Sequence, residues 1–345
     1  IAHVIHGTTL VTNSLIQRRG ARTAFVTTEG FRDVIEMRSE NRFEQYDLNL
    51  ELPEPLIARE HRYTLNERMA PDGSVLLPLD EAEAVALAER IASGGYEAVA
   101  VGLMHAYANE AHERMMEAAL REAAPGLAVS ISSVVSPQMR ELPRFNTVIA
   151  NAYVQPPVAA YLGRLVDALR KAGIEAPVYM MHSGGGLISV ETAAEQPVRL
   201  LESGPAGGAI YAAGIARAHE IGKALSFDMG GTTAKICLIE DGRPKTANTF
   251  EVARTYRFKK GSGMLVSTPV VEMVEIGAGG GSIAWIDRMG RLRVGPRSAG
   301  SEPGPACYGR GGEEPAVTDA NLRLGRLDPE NFAGGAMALH PDRTN

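Results

Sequence analysis

Apolar residues along the chain fall into short unbroken runs, separated by stretches in which they recur every three or four positions. This is the rhythm of buried strands alternating with covering helices. Thr23 to Thr28 predicts a short strand closed by the Glu29-Gly30 turn. Asp80 predicts a helix cap with Glu83, three residues on, as its capping-box partner, and Gly94-Gly95 stops that helix. Ala98 to Met104 is almost continuously apolar, which marks a strand buried on both faces. A helix from Asn109 to the Pro125-Gly126 stop and a strand from Leu127 to Ser132 follow. Strand, helix, strand with short links predicts an α/β architecture, a parallel or mixed sheet covered by helices.

The second half repeats the logic. Pro156-Pro157 predicts the opening of a helix that ends at Gly173, with Arg170 and Lys171 in its last turn where cations suit the dipole. Pro177 to His182 predicts a strand running into Ser183-Gly184-Gly185-Gly186. A helix of small residues, Pro205 to Ala218, precedes a strand from Ala224 to Asp228 and, after a glycine pair, a second strand from Ala234 to Ile239. Val270 to Ile276 predicts one further strand that leads into a glycine block, and from Gly261 onward the chain is rich in glycine and loops. No short repeat or low-complexity linker interrupts it.

At 345 residues the chain exceeds the usual single-domain size, which predicts two domains, 1–140 and 141–345. A net charge of −6 implies no basic face, so nucleic acid is a poor expectation as partner. Two cysteines, Cys237 and Cys307, fit a reducing, cytoplasmic compartment and exclude a disulfide framework. No apolar run is long enough for a membrane span and no signal-peptide pattern opens the chain. It begins with Ile1 and stops in a polar stretch at Asn345, which predicts a piece of a longer polypeptide, cut at both ends.

The segment Asp228-Met229-Gly230-Gly231-Thr232-Thr233 carries the sharpest chemistry. A strand delivers Asp228 to its end, Gly230 and Gly231 permit a tight turn, and Thr232 and Thr233 add hydroxyl donors for an anion. Asp228 has the hard oxygen that suits Mg²⁺. No Gly-Lys-Ser/Thr follows, so this is not a Walker loop. Lys235, in the next strand, either supplies positive charge at the edge of that site or is an exposed strand lysine. Gly204, Gly207 and Gly208 belong to the segment that opens the small-residue helix, where close approach of another helix would allow a hinge beside a bound cofactor. Gly279, Gly280 and Gly281 can bring backbone amides near a ligand. His6, Thr8 and Thr9 sit at a helix start that could receive an anion, and His182 precedes a glycine cluster; helix capping and core packing are their simpler readings. Asp319 begins another helix, as a cap or as a substrate-contacting catalytic acid or base. Cys307 has no histidine near it in sequence and reads as a packed thiol rather than a nucleophile.

Six blocks taken in order narrow the picture. They are His6-Gly7-Thr8-Thr9, Ser203 to Gly208, Phe227 to Thr233, Gly277 to Trp285, Gly304 to Gly309 and Val317 to Asn321. Together they resemble the hydantoinase A / 5-oxoprolinase family, with N-methylhydantoinase A and acetone carboxylase beta-like members. That family lies in the superfamily of actin, sugar kinases and heat-shock chaperone ATPases. The resemblance implies a duplicated ribonuclease H-like, two-lobed actin-like ATPase fold, here lacking its first phosphate hairpin and its later adenosine loop.

It also implies ATP and Mg²⁺ as cofactors, with Asp228 on the metal and Gly230 to Thr233 on the phosphates. The implied reaction is ATP-dependent hydrolysis of a cyclic amide such as a hydantoin or 5-oxoproline. A second, hydantoinase B-type subunit or domain is the implied partner, and homo-oligomerisation stays open. Alternatives are an acetone or acetophenone carboxylase subunit, a small-molecule kinase, and an ATP-switched binding module. With one phosphate loop of two, this chain by itself is expected to be inactive.

Overall fold

A computed structural model describes residues 1–40, 42–231, 233–256 and 259–344. The chain divides into two compact units, Ile1–Gly207 with Thr246–Val271, and Gly208–Lys245 with Glu272–Asn345. In chain order the main elements of the first unit are β1 (Val4–His6), α1 (Leu10–Ile16), β2 (Thr23–Thr28), β3 (Arg62–Leu65), α2 (Glu81–Ala92), β4 (Ala98–Gly102), α3 (Ala111–Ala123), β5 (Ala128–Ile131), α4 (Glu141–Lys171), β6 (Val178–Met181) and β7 (Leu187–Ser189). Helix α5 (Ser203–Ala218) contains the boundary between the units, at Gly207/Gly208.

The larger sheet has the order β3-β2-β4-β5 with every neighbour parallel. Its strands are buried on both faces, as the unbroken apolar runs predict. Ala24, Val26, Val99 and Val101 face α2 and α3, where they meet Leu87, Ile91, Met116 and Leu120. The alternate residues Phe25, Ala98 and Ala100 face α4, where Phe145 meets Phe25 edge-on at 5.5 Å between ring centroids. Gly102 is glycine because a Cβ there would lie 2.7 Å from the Phe145 ring. A smaller sheet pairs β1 in parallel with β6, and β6 antiparallel with β7.

Three local expectations need correction. Helix α4 does not open at Pro156-Pro157; it runs 31 residues and holds both prolines inside. Pro157 has no N–H to offer the Tyr153 carbonyl one turn back, and that carbonyl accepts the Ala21 N–H instead, at 2.8 Å. Asp80 does cap α2, accepting the Ala82 N–H at 2.9 Å, but Glu83 accepts from Asn66 N at 2.9 Å rather than closing a capping box. The run Val270 to Ile276 is two short strands, Val270–Val271 paired with Thr246–Ala247 in the first unit and Val274–Ile276 in the second.

The second unit contains β8 (Lys223–Met229), β9 (Ala234–Glu240), β10 (Val274–Ile276), β11 (Ser282–Ile286), β12 (Leu292–Ser298) and α6 (Val317–Arg323). β8 and β9 form an antiparallel hairpin, and β10 pairs antiparallel with the other side of β9. Ala213 and Ala216 of α5 pack against Ile239 and Ala224 on one face of this sheet, which is where the small side chains of the helix are used. Among the described residues no helix is long and apolar enough to cross a membrane.

Candidate functional site

The β8–β9 hairpin places Asp228 opposite Lys235 and Met229 opposite Ala234, so the turn falls on residues 230–233. Gly230 N–H closes the turn on the Thr233 carbonyl at 2.9 Å. Thr232, a predicted site residue, lies outside the described residues. The Asp228 carboxylate is exposed and makes no hydrogen bond or ion pair among the described residues. Lys235 is not an exposed strand lysine: its side chain is only 15% exposed and its Nζ lies 3.5 Å from Glu275 Oε1 on β10.

The glycine block after β10 is bound to this turn. Gly280 N–H donates to the Gly230 carbonyl and Gly281 N–H to the Gly231 carbonyl, both at 2.8 Å. Gly279 N–H is taken by Ser282 Oγ at 2.9 Å. All three amides are therefore used within the protein. The next layer is α6: the Gly280 carbonyl accepts both the Thr318 N–H and the Thr318 hydroxyl, each at 2.8 Å. A Cβ on Gly280 would meet Thr318 Oγ1 at 2.7 Å, and one on Gly281 would meet Ser298 Oγ at 2.7 Å. Gly231, by contrast, is exposed, and among the described residues other than its chain neighbours no atom lies within 4 Å of where its Cβ would be.

Asp319 is buried in the first turn of α6. Its Oδ1 accepts from Cys307 N at 2.8 Å, and its Oδ2 from Ala316 N at 2.8 Å and Ala306 N at 3.3 Å. Both oxygens are thus engaged by main-chain amides of two loops. Burial, with the Asp319 carboxylate beside it, pushes the Cys307 thiol up to about 12, so the thiolate is disfavoured. Four of the six sequence blocks, those at 227–233, 277–285, 304–309 and 317–321, meet in this one unit.

The remaining blocks meet in the first unit. Thr8 N–H donates to Ser203 Oγ at 3.0 Å and the Ser203 hydroxyl returns a bond to the Thr8 carbonyl at 2.9 Å. Gly7 and Gly204 approach so closely that a Cβ on Gly7 would lie 3.2 Å from Gly204 Cα. Thr8 Oγ1 accepts from Leu10 N at 3.1 Å at the start of α1, while Thr9 Oγ1 accepts from Asn13 Nδ2 at 3.3 Å. His6 Nε2 is 2.7 Å from the Tyr161 hydroxyl, and His182 Nδ1 accepts the Gly184 N–H at 2.8 Å. Burial holds both imidazoles below the usual histidine range, and nearby Arg199 adds to the effect at His182. Gly207 lies against Met181, and Gly208 opens the second unit within the same helix. The clamping roles of Ser282, Thr318 and Ser203 were not singled out from sequence; each lies inside a recognised block, which is the signal that was available.

Among the described residues no three of His, Cys, Asp or Glu converge to hold a metal unaided. A single free carboxylate beside a glycine turn fits instead a Mg²⁺ ion that arrives with nucleotide phosphates, since that ion keeps water and needs few protein ligands. The second unit is thus a small α/β unit whose glycine-rich hairpin is braced from behind by a second glycine turn and a helix start. Comparison with known proteins narrows the class. The family model described as hydantoinase/oxoprolinase matches residues 144–345, and that of the hydantoinase/oxoprolinase N-terminal region matches residues 1–124. The chain belongs to the hydantoinase/oxoprolinase family.

It is 41% identical to an uncharacterized protein of Methanocaldococcus jannaschii, over 98% of this chain and 51% of that one. It is 35% identical to the caprolactamase subunit alpha of Pseudomonas jessenii, over 97% and 47%, and 32% identical to the 5-oxoprolinase of Saccharomyces cerevisiae, over 94% and 26%. The chain thus spans about half the length, or less, of the curated relatives it matches. Two solved structures align with 99% of it and 48% of their own chains. They are the ATP-dependent caprolactamase of Pseudomonas jessenii, with TM-score 0.77 and 35% identity, and a nucleotide-free acetone carboxylase, with TM-score 0.75 and 26% identity. The fold is the mixed α/β, actin-like fold of these proteins.

Proposed function

We infer that this chain supplies part of the ATP site of an enzyme that opens a cyclic amide. The observation that carries the reading is the hairpin turn at 230–233, held from behind by Gly280, Gly281 and Thr318 while Asp228 and Gly231 stay open to solvent. A rigid turn with its ligand-facing side free is what phosphoryl transfer needs, because catalysis there is positioning and charge stabilisation. Asp228 is assigned to Mg²⁺, and Gly230, Gly231, Thr232 and Thr233 to the phosphates. Gly279 to Gly281 and Asp319 are assigned to positioning the turn and the 304–307 loop, since their polar groups are spent inside the protein. Gly204 to Gly208 is assigned as the hinge, and His6, Thr8, Thr9 and His182 as the substrate-side group.

The chemistry follows from the weakness of an amide carbonyl as an electrophile. Transfer of a phosphoryl group to its oxygen opens the carbon to water, after which the C–N bond breaks and phosphate is released. Relatives named caprolactamase and 5-oxoprolinase support this substrate class. That one relative is named as a subunit, and that the chain spans about half its length, supports a need for further polypeptide, including a hydantoinase B-type partner. A second reading, a carboxylase subunit in which ATP activates the carboxylation substrates, is favoured by the acetone carboxylase likeness.

Phosphate release from the full-length protein with its partner decides between them. Stimulation by 5-oxoproline, hydantoin or caprolactam supports the lactamase reading; stimulation only by bicarbonate with a ketone supports the carboxylase. No stimulation by any cyclic amide rules out the first.

A further inference from the structure

Strands β11 and β12 form an antiparallel ribbon that the hairpin site does not use. Beyond a bridge from Ile283 to Ala316 at its base, no third strand lies beside it among the described residues. Ala284 stands opposite Val294, and Ile286 opposite Leu292, so these four side chains share one face. Val294 is 44% exposed, Ile286 63% and Leu292 68%, and Met289 in the turn is 75% exposed. The ribbon keeps its shape through bonds of its own. Asp287 Oδ1 accepts the Met289 and Arg291 N–H groups, both at 2.9 Å, and its Oδ2 meets Nε of Arg291 and of Arg293, both at 3.0 Å. On that second face Trp285 donates its Nε1–H to the Gly295 carbonyl at 2.7 Å. The polar face is thus spent on rigidity, and the apolar face is left bare. Apolar side chains gathered on one exposed face of a braced element mark an interaction surface.

Composition and charge say what covers it. Residues 282–298 include the chain's only tryptophan, a methionine and four arginines, with no lysine or glutamate. Aromatic residues, methionine and arginine are enriched where separate polypeptides meet, and lysine and glutamate are depleted there. Four arginines stand against Asp287 and, through the Arg297–Glu314 pair, against one further carboxylate, so the ribbon is positive in a chain of net charge −6. A second copy in a two-fold contact would set this positive ribbon against itself. An apolar surface bordered by carboxylates matches both the bare face and the surplus charge.

We propose that the β11–β12 ribbon docks a separate polypeptide, with Ile286, Met289, Leu292 and Val294 on apolar side chains of that partner and the arginines facing carboxylates at its border. The inference rests on the proposed need for a second polypeptide and names the surface that meets it.

Thiol labelling of Leu292→Cys in the full-length protein, with and without the hydantoinase B-type polypeptide of the same source, tests it. Cys237 and Cys307 are buried, and peptide mapping separates them from the new thiol. Prompt labelling is expected in the protein alone. With the second polypeptide at about ten times its Kd, labelling should slow by about tenfold, since only the free fraction reacts. Ile286→Asp with Leu292→Asp should abolish the complex in gel filtration at an unchanged melting temperature, and Arg288→Glu should slow association and flatten its dependence on salt. A thiol that is unreactive in the full-length protein alone shows that the same chain covers the ribbon, and one protected by raising that protein's own concentration shows a second copy; either overturns the proposal. So does a complex in which the thiol labels at the free rate, or one that survives Ile286→Asp with Leu292→Asp; both leave the partner reading standing. No complex with the parent protein removes the partner reading and the proposal together. Binding of a fluorescent ATP analogue, expected to be equal in parent and variants, reports on the nucleotide site separately.

Discussion

Asp228 and Lys235 are direct cross-strand partners at the end of the β8–β9 hairpin, and Glu275 is the next residue in the same row across β9 and β10. Lys235 is held within 3.5 Å of Glu275, so the row places acid, base, acid side by side on one face. Opposite charges in one row support each other across strands, yet Asp228 keeps its carboxylate exposed and, among the described residues, without a bond of its own. It is therefore available to a metal at little structural cost. Asp228→Asn is expected to change stability by no more than about 0.5 kcal/mol, as for other surface substitutions, while removing the Mg²⁺ dependence of nucleotide binding. Thermal melting and analogue binding to the full-length protein, each with and without Mg²⁺, measure the two effects. Unchanged Mg²⁺ dependence would remove Asp228 from the metal.

The glycines of the two turns should separate by role. Gly280→Ala would press a Cβ to 2.7 Å from Thr318 Oγ1, and Gly281→Ala to 2.7 Å from Ser298 Oγ and 3.1 Å from the Gly231 carbonyl. Each is expected to cost about 1–3 kcal/mol, the range for overpacking a filled space. Gly231→Ala meets nothing within 4 Å among the described residues beyond its chain neighbours, so its melting temperature should match that of the parent chain. Nucleotide binding should fall in all three. If Gly231→Ala binds nucleotide as well as the parent, no ligand occupies the space in front of that turn.

Much of this site is legible in the sequence because it is built from local signals. The strand ending at Asp228, the glycine pair and the returning strand need only a hairpin's register to be placed. The roles of Gly279 to Gly281 were not legible. Glycine allows a close approach but does not say to what, and here the approach is to the Gly230 and Gly231 carbonyls rather than outward. Pro156-Pro157 misled for a similar reason. Two prolines suggest a helix start, and only the distant Ala21 N–H, which satisfies the Tyr153 carbonyl, makes an interior position tolerable.

The two cysteines allow a clean chemical test of Asp319. Both thiols are buried and burial raises both, Cys307 to about 12 with the Asp319 carboxylate as the next cause. Iodoacetamide near pH 8 is expected to label neither in the native protein and both after unfolding. Asp319→Ala removes the acceptor of three main-chain donors and should cost at least about 2 kcal/mol. It also removes the carboxylate that opposes ionisation, so Cys307 should become the first thiol labelled. Peptide mapping by mass spectrometry distinguishes the sites. Prompt native labelling of Cys307 in the parent protein would contradict the packed-thiol reading.

Acid sensitivity should trace partly to His6 and His182. Both are held below the ordinary histidine value of 6.5 in the folded state, mainly by burial, so the unfolded chain binds more protons than the folded one as pH falls through 6.5. Their contribution is thus fully present above 6.5 and is lost on acidification, down to their lowered folded values. At His182 a proton on Nδ1 would also displace the Gly184 N–H that this nitrogen accepts. His182→Asn, which keeps an acceptor but cannot titrate, is expected to flatten the fall in melting temperature between neutral and mildly acidic pH. A parallel profile for variant and parent would assign the acid sensitivity elsewhere.

The sheet of the second unit has one face that α5 does not cover. Leu225 and Phe227 on β8, Leu238 on β9, and Val274 and Ile276 on β10 share that face through the strand register, and each is at least 39% exposed. Among the described residues β8 pairs only with β9, so an open strand edge borders the same apolar area. Contiguous exposed apolar surface next to an unpaired edge drives association. The 345-residue chain by itself is therefore expected to self-associate as its concentration rises. Leu225→Ser combined with Phe227→Thr should lower light scattering at equal concentration. Because neither side chain is buried, the melting temperature should stay close to that of the parent. Serine at position 225 and threonine at 227 leave the β8–β9 main-chain bonds in place, so a loss of secondary structure by circular dichroism is not expected. If the double variant scatters as strongly as the parent, association runs through another surface and the bare face of this sheet is not its cause.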